Sequence, residues 1–459
     1  MFTNWKKFPF VFLIARLWIN EYNANGIVAS YEYDEVNRLV REKILDKNGA
    51  PVVEYGYTLG AAGERLKVVE TDRTVEYEYD ELYRLTKETV TDSNGTIVTE
   101  YTYDRNSNRL TKTVDGVVTE YAYNELNQLV SETGITYEYD LNGNLVKKTE
   151  GEHTTTYTYN VQNRLIRVTV QSGQQVNVEE YRYDYAGNRI AKIGELSTTY
   201  YLVDTNGELS QVLAEYDENG SLTTYYTRGE ELISQERNGA KSYYLYDGHD
   251  SVRVLTDENG AATDFYTYDA FGNLIEQIGD TENSYLYRGE QFDSFTGLYY
   301  LRARYMNPTT GTFITMDEYA GSVFEPVSLH KYLYANTNPV MFSNPSGHFS
   351  LGDISTSFAI NNVLQNMQCA ACIGFLSNSI LGGLLTTLRG GNQAEIQQAI
   401  LDGMASGFIF GGLFGGIVNI ADSKVHDSFC RVVSKKYIRR IWNYHIKNYE
   451  CELHTENNR

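Results

Sequence analysis

The sequence predicts a mostly β chain: an antiparallel repeat ribbon over residues 22–347, followed by a smaller α-helical, glycine-rich C-terminal region. Three observations predict it. Tyrosine supplies 40 of 459 residues, and most recur in the phrase Tyr-x-Tyr-Asp or Tyr-x-Tyr-Asn, followed by an Asn/Gly-Arg/Gln/Asn-Leu cluster. A second set of turn signals alternates with that phrase. After Gly347 the tyrosines nearly stop and long uncharged, glycine-rich runs begin.

The copies are YEYDEVNRL from Tyr31, YEYDELYRL from Tyr77, YTYDRNSNRL from Tyr101, YAYNELNQL from Tyr121, YEYDLNGNL from Tyr137, YTYNVQNRL from Tyr157, YRYDYAGNRI from Tyr181 and YTYDAFGNL from Tyr266. Where they are densest they recur every 16 to 24 residues or so, roughly the period of a stacked array. The two tyrosines of a copy stand at i and i+2, on one face of a strand, and the Asp or Asn opens a turn. The second turn reads DKNG at Asp46, DSNG at Asp92, DG at Asp115, DENG at Asp217 and DENG at Asp257. Asn-Gly or Asp-Gly between β-formers is a strong hairpin signal. One hairpin cannot bury its aromatic face, so several must stack or coil. The tyrosines are read first as a structural ladder, because the ring packs while the hydroxyl finds a partner. A sugar-binding face is the alternative.

The net charge of -21 and pI near 4.8 argue against nucleic-acid wrapping by the repeat body. All four cysteines, Cys369, Cys372, Cys430 and Cys451, fall in the last quarter, so residues 1–368 hold no disulfide. Residues 1–21 contain Lys6, Lys7 and the apolar run PFVFLIARLWI, interrupted by Arg16 and followed by no small-residue cleavage site. They are read as a first strand or the start of a once longer chain rather than as a clear signal peptide.

Near residue 240 the loose repeats (22–240) give way to a denser signature (241–347). The runs YYLYDGHDSVRVLTDENGAATDFYTYDAFGNLIEQ, YLYRGEQFDSFTGLYYLRARYMNPTTGTFITMD and YLYANTNPVMFSNPSG resemble the core region of bacterial RHS-repeat (YD-repeat) proteins. The upstream copies extend the resemblance back to about Tyr31. It implies a β-strip that spirals into a hollow shell closed at one end by the core. It also implies a variable C-terminal polypeptide, usually a toxin, enclosed as cargo, with an immunity protein as a partner and secretion or display at the cell surface. In that family the core cuts the chain just after an Asp-Pro-x-Gly-Leu motif, with two carboxylates sharing a proton. The Arg of the family's RYYDP-like segment falls on Arg304 and its first Asp on Asp317. The second Asp falls on Asn344, in NPSGH, and the Leu on His348. An amide cannot exchange a proton near neutral pH, so scission between His348 and Phe349 is expected to be slow or absent. Arg304 and Asp317 then read as a salt bridge pinning the core.

His249 and Asp250 are read as a turn with a capping Asp, and His153 and His330 as polar or packed residues rather than ligands. No GxGxxG, Walker-type loop, HExxH or GxSxG stands in a suitable context, so no cofactor is expected.

Residues 354–388 are uncharged, but Ser, Asn, Gln and Thr make them a poor membrane span. Residues 403–421, GMASGFIFGGLFGGIVNIA, carry Gly403, Gly407, Gly411 and Gly415 at steps of four. On a helix these make a smooth ridge for close packing, either against a membrane partner or inside the shell. The whole apolar region is set at 348–421 and the basic tail at 422–459. From Ser423 the tail has eight Lys/Arg against four Asp/Glu, a charge that suits nucleic acid, anionic lipid or an acidic lumen. The spacing of Cys369, Cys372, Cys430, Cys451 and His454 is wrong for a zinc module, and no motif joins His426, His445 and His454 to a carboxylate cluster. Three functions are therefore expected to compete: a carrier for a C-terminal toxin, an adhesion or glycan-binding repeat protein, and a truncated or decayed paralogue without toxic activity.

Overall fold

The computed structural model describes residues 18–229, 231–321, 326–348 and 351–352. The chain divides into two compact units, 1–356 and 357–459, and every described residue belongs to the first. The ridge Gly403, Gly407, Gly411 and Gly415, residue Phe349, the four cysteines and the basic tail lie outside the described residues. Among the described residues no helix is long and apolar enough to cross a membrane.

Twenty-five strands, from Trp18–Tyr22 to Leu274–Ile278, form one antiparallel sheet in which each strand pairs with its sequence neighbour. The sheet runs without a break through residue 240, because the same turn chemistry continues there. Each Asp or Asn after the second tyrosine folds its own backbone. The Asp140 carboxylate accepts the N–H groups of Asn142 and Asn144 at 2.9 and 2.8 Å, and its N–H donates to the Asn144 carbonyl. Such self-satisfied Asx turns need a left-handed residue three positions on. That is the reason for the Asn/Gly of the phrase: Asn37, Asn127, Asn163, Gly143 and Gly187 all have φ between 57° and 90°.

The two sets of turns divide differently from the expectation. Asp46, Asp217 and Asp257 of the DKNG and DENG segments make the same Asx turn as the tyrosine phrase. Of the five segments in that second set, only Asp92–Gly95 and Asp115–Gly116 lie in two-residue hairpins. In the Asx turns the carboxylate stands three residues before the Gly and accepts the N–H one residue after it. Asp92 also stands three residues before its Gly, but its strands pair right up to Gly95.

The two tyrosines of a copy do different work. The first is buried at Tyr101, Tyr121, Tyr137, Tyr157, Tyr181 and Tyr266 and half-buried at Tyr31 and Tyr77. The second sits at a register shift and donates its hydroxyl to a carbonyl of the preceding repeat: Tyr103 to Leu85, Tyr159 to Leu145, Tyr183 to Leu165 and Tyr268 to Val252, at 2.7 to 2.8 Å. Burial pushes the Tyr103 phenol up to about 12, so these hydroxyls remain donors at neutral pH.

The first strands meet the late ones across a polar seam. Asn25 donates to Thr256 and to the Asp257 carbonyl, Arg65 to the Gly248 carbonyl at 2.8 Å, and Arg253 pairs with Glu70 at 2.6 Å. A separate four-stranded sheet, Gln291–Asp293, Leu298–Leu301, Arg304–Asn307 and Thr312–Phe313, packs on the tyrosine-bearing face. Its Leu298, Tyr300 and Tyr305, with Ile314 just after the last strand, share one cluster with Tyr121, Tyr137, Tyr157 and Tyr181.

Candidate functional site

The site grows from the hairpin that joins Leu298–Leu301 to Arg304–Asn307. Arg302 at its tip has φ 59°, which turns the following residues toward the segment 344–348. Consecutive carbonyls of that segment are then taken up in order. Pro345 accepts from Arg302 Nη1 at 2.6 Å, Ser346 from the Ala303 N–H, Gly347 from Arg304 Nε and His348 from Arg304 Nη2 at 3.4 Å. Gly347, with φ +74°, is required here. A Cβ would lie 2.3 Å from the Leu301 carbonyl oxygen, too close for any side chain.

Arg304 is buried and carries the centre. Its Nη2 bonds Asp317 Oδ2 at 2.7 Å, its Nη1 reaches the Lys331 carbonyl at 3.0 Å, and its guanidinium lies 3.6 Å from the Phe313 ring centroid. Burial pulls its pKa down to about 10, against the opposing effect of Asp317, so it stays charged near neutrality. The other oxygen of Asp317 accepts the Tyr319 N–H at 2.9 Å and faces His348 Nδ1 at 3.4 Å. Asn344 is 2% exposed, and its Oδ1 is buried with no hydrogen-bond partner among the described residues.

The structure therefore brings Arg304, Asp317 and His348 together and sets Asn344 on the same short segment. A guanidinium beside the His348 carbonyl can stabilise negative charge on that oxygen. Asp317, held by an arginine, can accept a proton. A second carboxyl to share or return it is missing from position 344.

Other sequence candidates separate from the site. The capping carboxylate of the YDGHD turn is Asp247, which accepts from the N–H groups of His249 and Ser251. Asp250 instead holds the left-handed position, φ 57°. His249 is buried against Arg288 and the Tyr287 ring, and burial first, then the nearby arginines, push its pKa well down. His330 bonds Asn108 at 2.8 Å and is lowered to about 4 by burial. His153 is exposed and bonds Ser172.

Sequence reasoning missed the inward arginines. In the copies from Tyr101 and Tyr181 the apolar residue comes one place later, so Arg109 and Arg189 occupy the slot where Leu85, Leu145 and Leu165 are buried elsewhere. Arg109 reaches the Thr309 carbonyl and stacks on Phe271. Arg189 bonds Asp293 at 2.5 Å and Gln291 at 3.1 Å and lies over Tyr300. The one-residue lengthening was the available signal.

Residues 19–340 match the profile of the teneurin YD-shell family. The chain belongs to that family. This YD-shell is 37% identical over 199 residues to the tRNA3(Ser)-specific nuclease WapA of Bacillus spizizenii, covering 42% of this chain and 8% of that one. It is 36% identical over 199 residues to the tRNA nuclease WapA of Bacillus subtilis, with the same coverage, and 28% identical over 195 residues to salivary gland surface protein 1 of Aedes aegypti, covering 38% of this chain and 5% of that one. The YD-shell thus spans less than a tenth of the length of these relatives. Among solved structures, a crystal structure of TcdB2-TccC3-Cdc42 overlaps 72% of this chain and 21% of its own, at 19% identity and TM-score 0.39.

Proposed function

We propose that this YD-shell is a toxin-type carrier whose C-terminal region, from residue 349, is the cargo, and that cutting of the chain at His348–Phe349 is impaired. The observation that supports the reading most is the grip on residues 345–348. Four successive carbonyls just before residue 349 in the sequence are bonded by Arg302, Ala303 and Arg304, beside an Arg304–Asp317 pair that lacks a second carboxyl at Asn344. The Bacillus relatives are nucleases by name, and the Aedes relative a surface protein. They favour a toxin-type cargo and placement outside the cell or at its surface. An immunity protein is the partner such a cargo requires.

The test is expression of residues 349–459 in bacteria beside the full chain. Growth arrest with the short chain alone, relieved by a neighbouring small reading frame, is the expected outcome. Harmless expression of both would favour the adhesion reading or a decayed paralogue.

A further inference from the structure

We infer that Asn344–Pro345 is a self-scission bond, cut by the side-chain amide of Asn344 itself. This chemistry needs no second carboxylate. It goes beyond the proposed carrier role, since it opens the chain at a different bond by a different group.

The chain has three Asn-Pro bonds, at 307–308, 338–339 and 344–345. At each, proline lacks the backbone N–H through which asparagine ordinarily deamidates. The route left to the carboxamide is attack of its own nitrogen on its own backbone carbonyl carbon. Two of the three side chains are tied down. Asn307 Oδ1 accepts the Thr309 N–H at 3.0 Å. Asn338 donates Nδ2 to the Tyr83 carbonyl at 2.6 Å and accepts the Met341 N–H at Oδ1. Asn344 differs: it is 2% exposed and its Oδ1 has no partner among the described residues. A buried carboxamide without an oxygen partner is costly to keep and turns about Cβ–Cγ with no bond to break at that oxygen.

The electrophile is prepared too. The Asn344 carbonyl accepts the Gly347 N–H at 3.2 Å, a donor placed where negative charge develops during attack. Arg302 and Ala303 hold the next two carbonyls, of Pro345 and Ser346, which fixes the leaving segment in place. In the step, Asn344 Nδ2 forms a bond to the Asn344 carbonyl carbon and the bond from that carbon to the Pro345 nitrogen breaks. One Nδ2 proton passes to the proline nitrogen, which leaves as a secondary amine. Residues 1–344 end in a cyclic imide that water later opens, and residues 345–459 begin with proline. No oxidant, metal or other reactant is consumed.

The test is a time course of intact mass and N-terminal sequencing on the purified full chain at mildly alkaline pH over days. Expected is a fragment beginning at Pro345, and a 1–344 partner one water lighter than a hydrolysis product. Its rate should exceed scission at 307–308 and 338–339 by on the order of tenfold, and Asn344→Ala should abolish it. Asn344→Gln, whose ring closes less readily, should slow it. Equal rates at all three Asn-Pro bonds in the wild-type chain, which needs no folded variant, would overturn the inference. So would a Pro345 fragment that persists in Asn344→Ala, or its absence from the wild-type chain. A fragment ending at His348 bears only on the carrier reading, and one ending at Asn344 only on this one.

Discussion

The ribbon and the inner core hold together by opposite means. In the ribbon the Asx turns satisfy their own backbone, and second tyrosines such as Tyr79, Tyr103, Tyr159, Tyr183 and Tyr268 tie one repeat to the one before, so the same weak bond recurs. In residues 290–348 the ties are charged and each is made once: Arg189–Asp293, Arg302–Glu290 and Arg304–Asp317. Redundancy makes the ribbon tolerant of single losses. Uniqueness makes the core fragile and gives it geometry that chemistry can use.

The largest effect should follow removal of a single charged link. Arg189→Met leaves Asp293 buried without its arginine and should cost about 3–5 kcal/mol, read as a lowered denaturant midpoint. The corresponding change in the ribbon, Arg41→Met at an exposed arginine paired with the half-buried Glu54, should fall near the noise.

Glu88 sharpens the contrast by pH. Burial, then the nearby Asp269, push its carboxyl up to about 8; the Ala270 N–H, Arg73 and Lys112 oppose the rise. Between its ordinary value of 4.5 and about 8 the folded chain holds a proton that the unfolded chain has lost. Unfolding releases it, so this contribution is fully present below 4.5 and is lost as pH rises through about 8. Glu88→Gln should flatten a loss of about 2–4 kcal/mol across that window in denaturant titrations at stepped pH.

Gly347→Ala drives a methyl group into the Leu301 carbonyl and should cost about 1–3 kcal/mol, with faster amide exchange around residues 301–304. Smaller again should be Tyr159→Phe, which removes one hydroxyl bond to Leu145 at about 1 kcal/mol, leaving only the exposed Arg41 change below it. A ribbon tyrosine that cost as much as Arg189 would break the contrast.

The ribbon was largely legible in the sequence, because its bonds are local: Asp140 and Gly143 sit within one phrase, and alternation sets which tyrosines face inward. The reach of Arg189 across 104 residues to Asp293 has no such local mark beyond the displaced isoleucine of YRYDYAGNRI. The candidate site was legible as far as resemblance carried it, to Arg304, Asp317 and Asn344. The carbonyl grip by residues 302–304 was not, since backbone acceptors leave no trace in residue identity. The role of Gly347 comes from an approach to Leu301 that only the folded chain contains.

The junction at 344–348 is built yet lacks its second carboxylate. Intact mass of the wild-type chain, of Asn344→Asp, and of Asn344→Asp combined with His348→Leu, followed over days, tests that most directly. A fragment ending at residue 348 is expected from the variants that regain Asp, most from the double variant, and no fragment ending there from the wild type. A wild-type chain that accumulates a clean fragment ending at His348 would contradict that expectation.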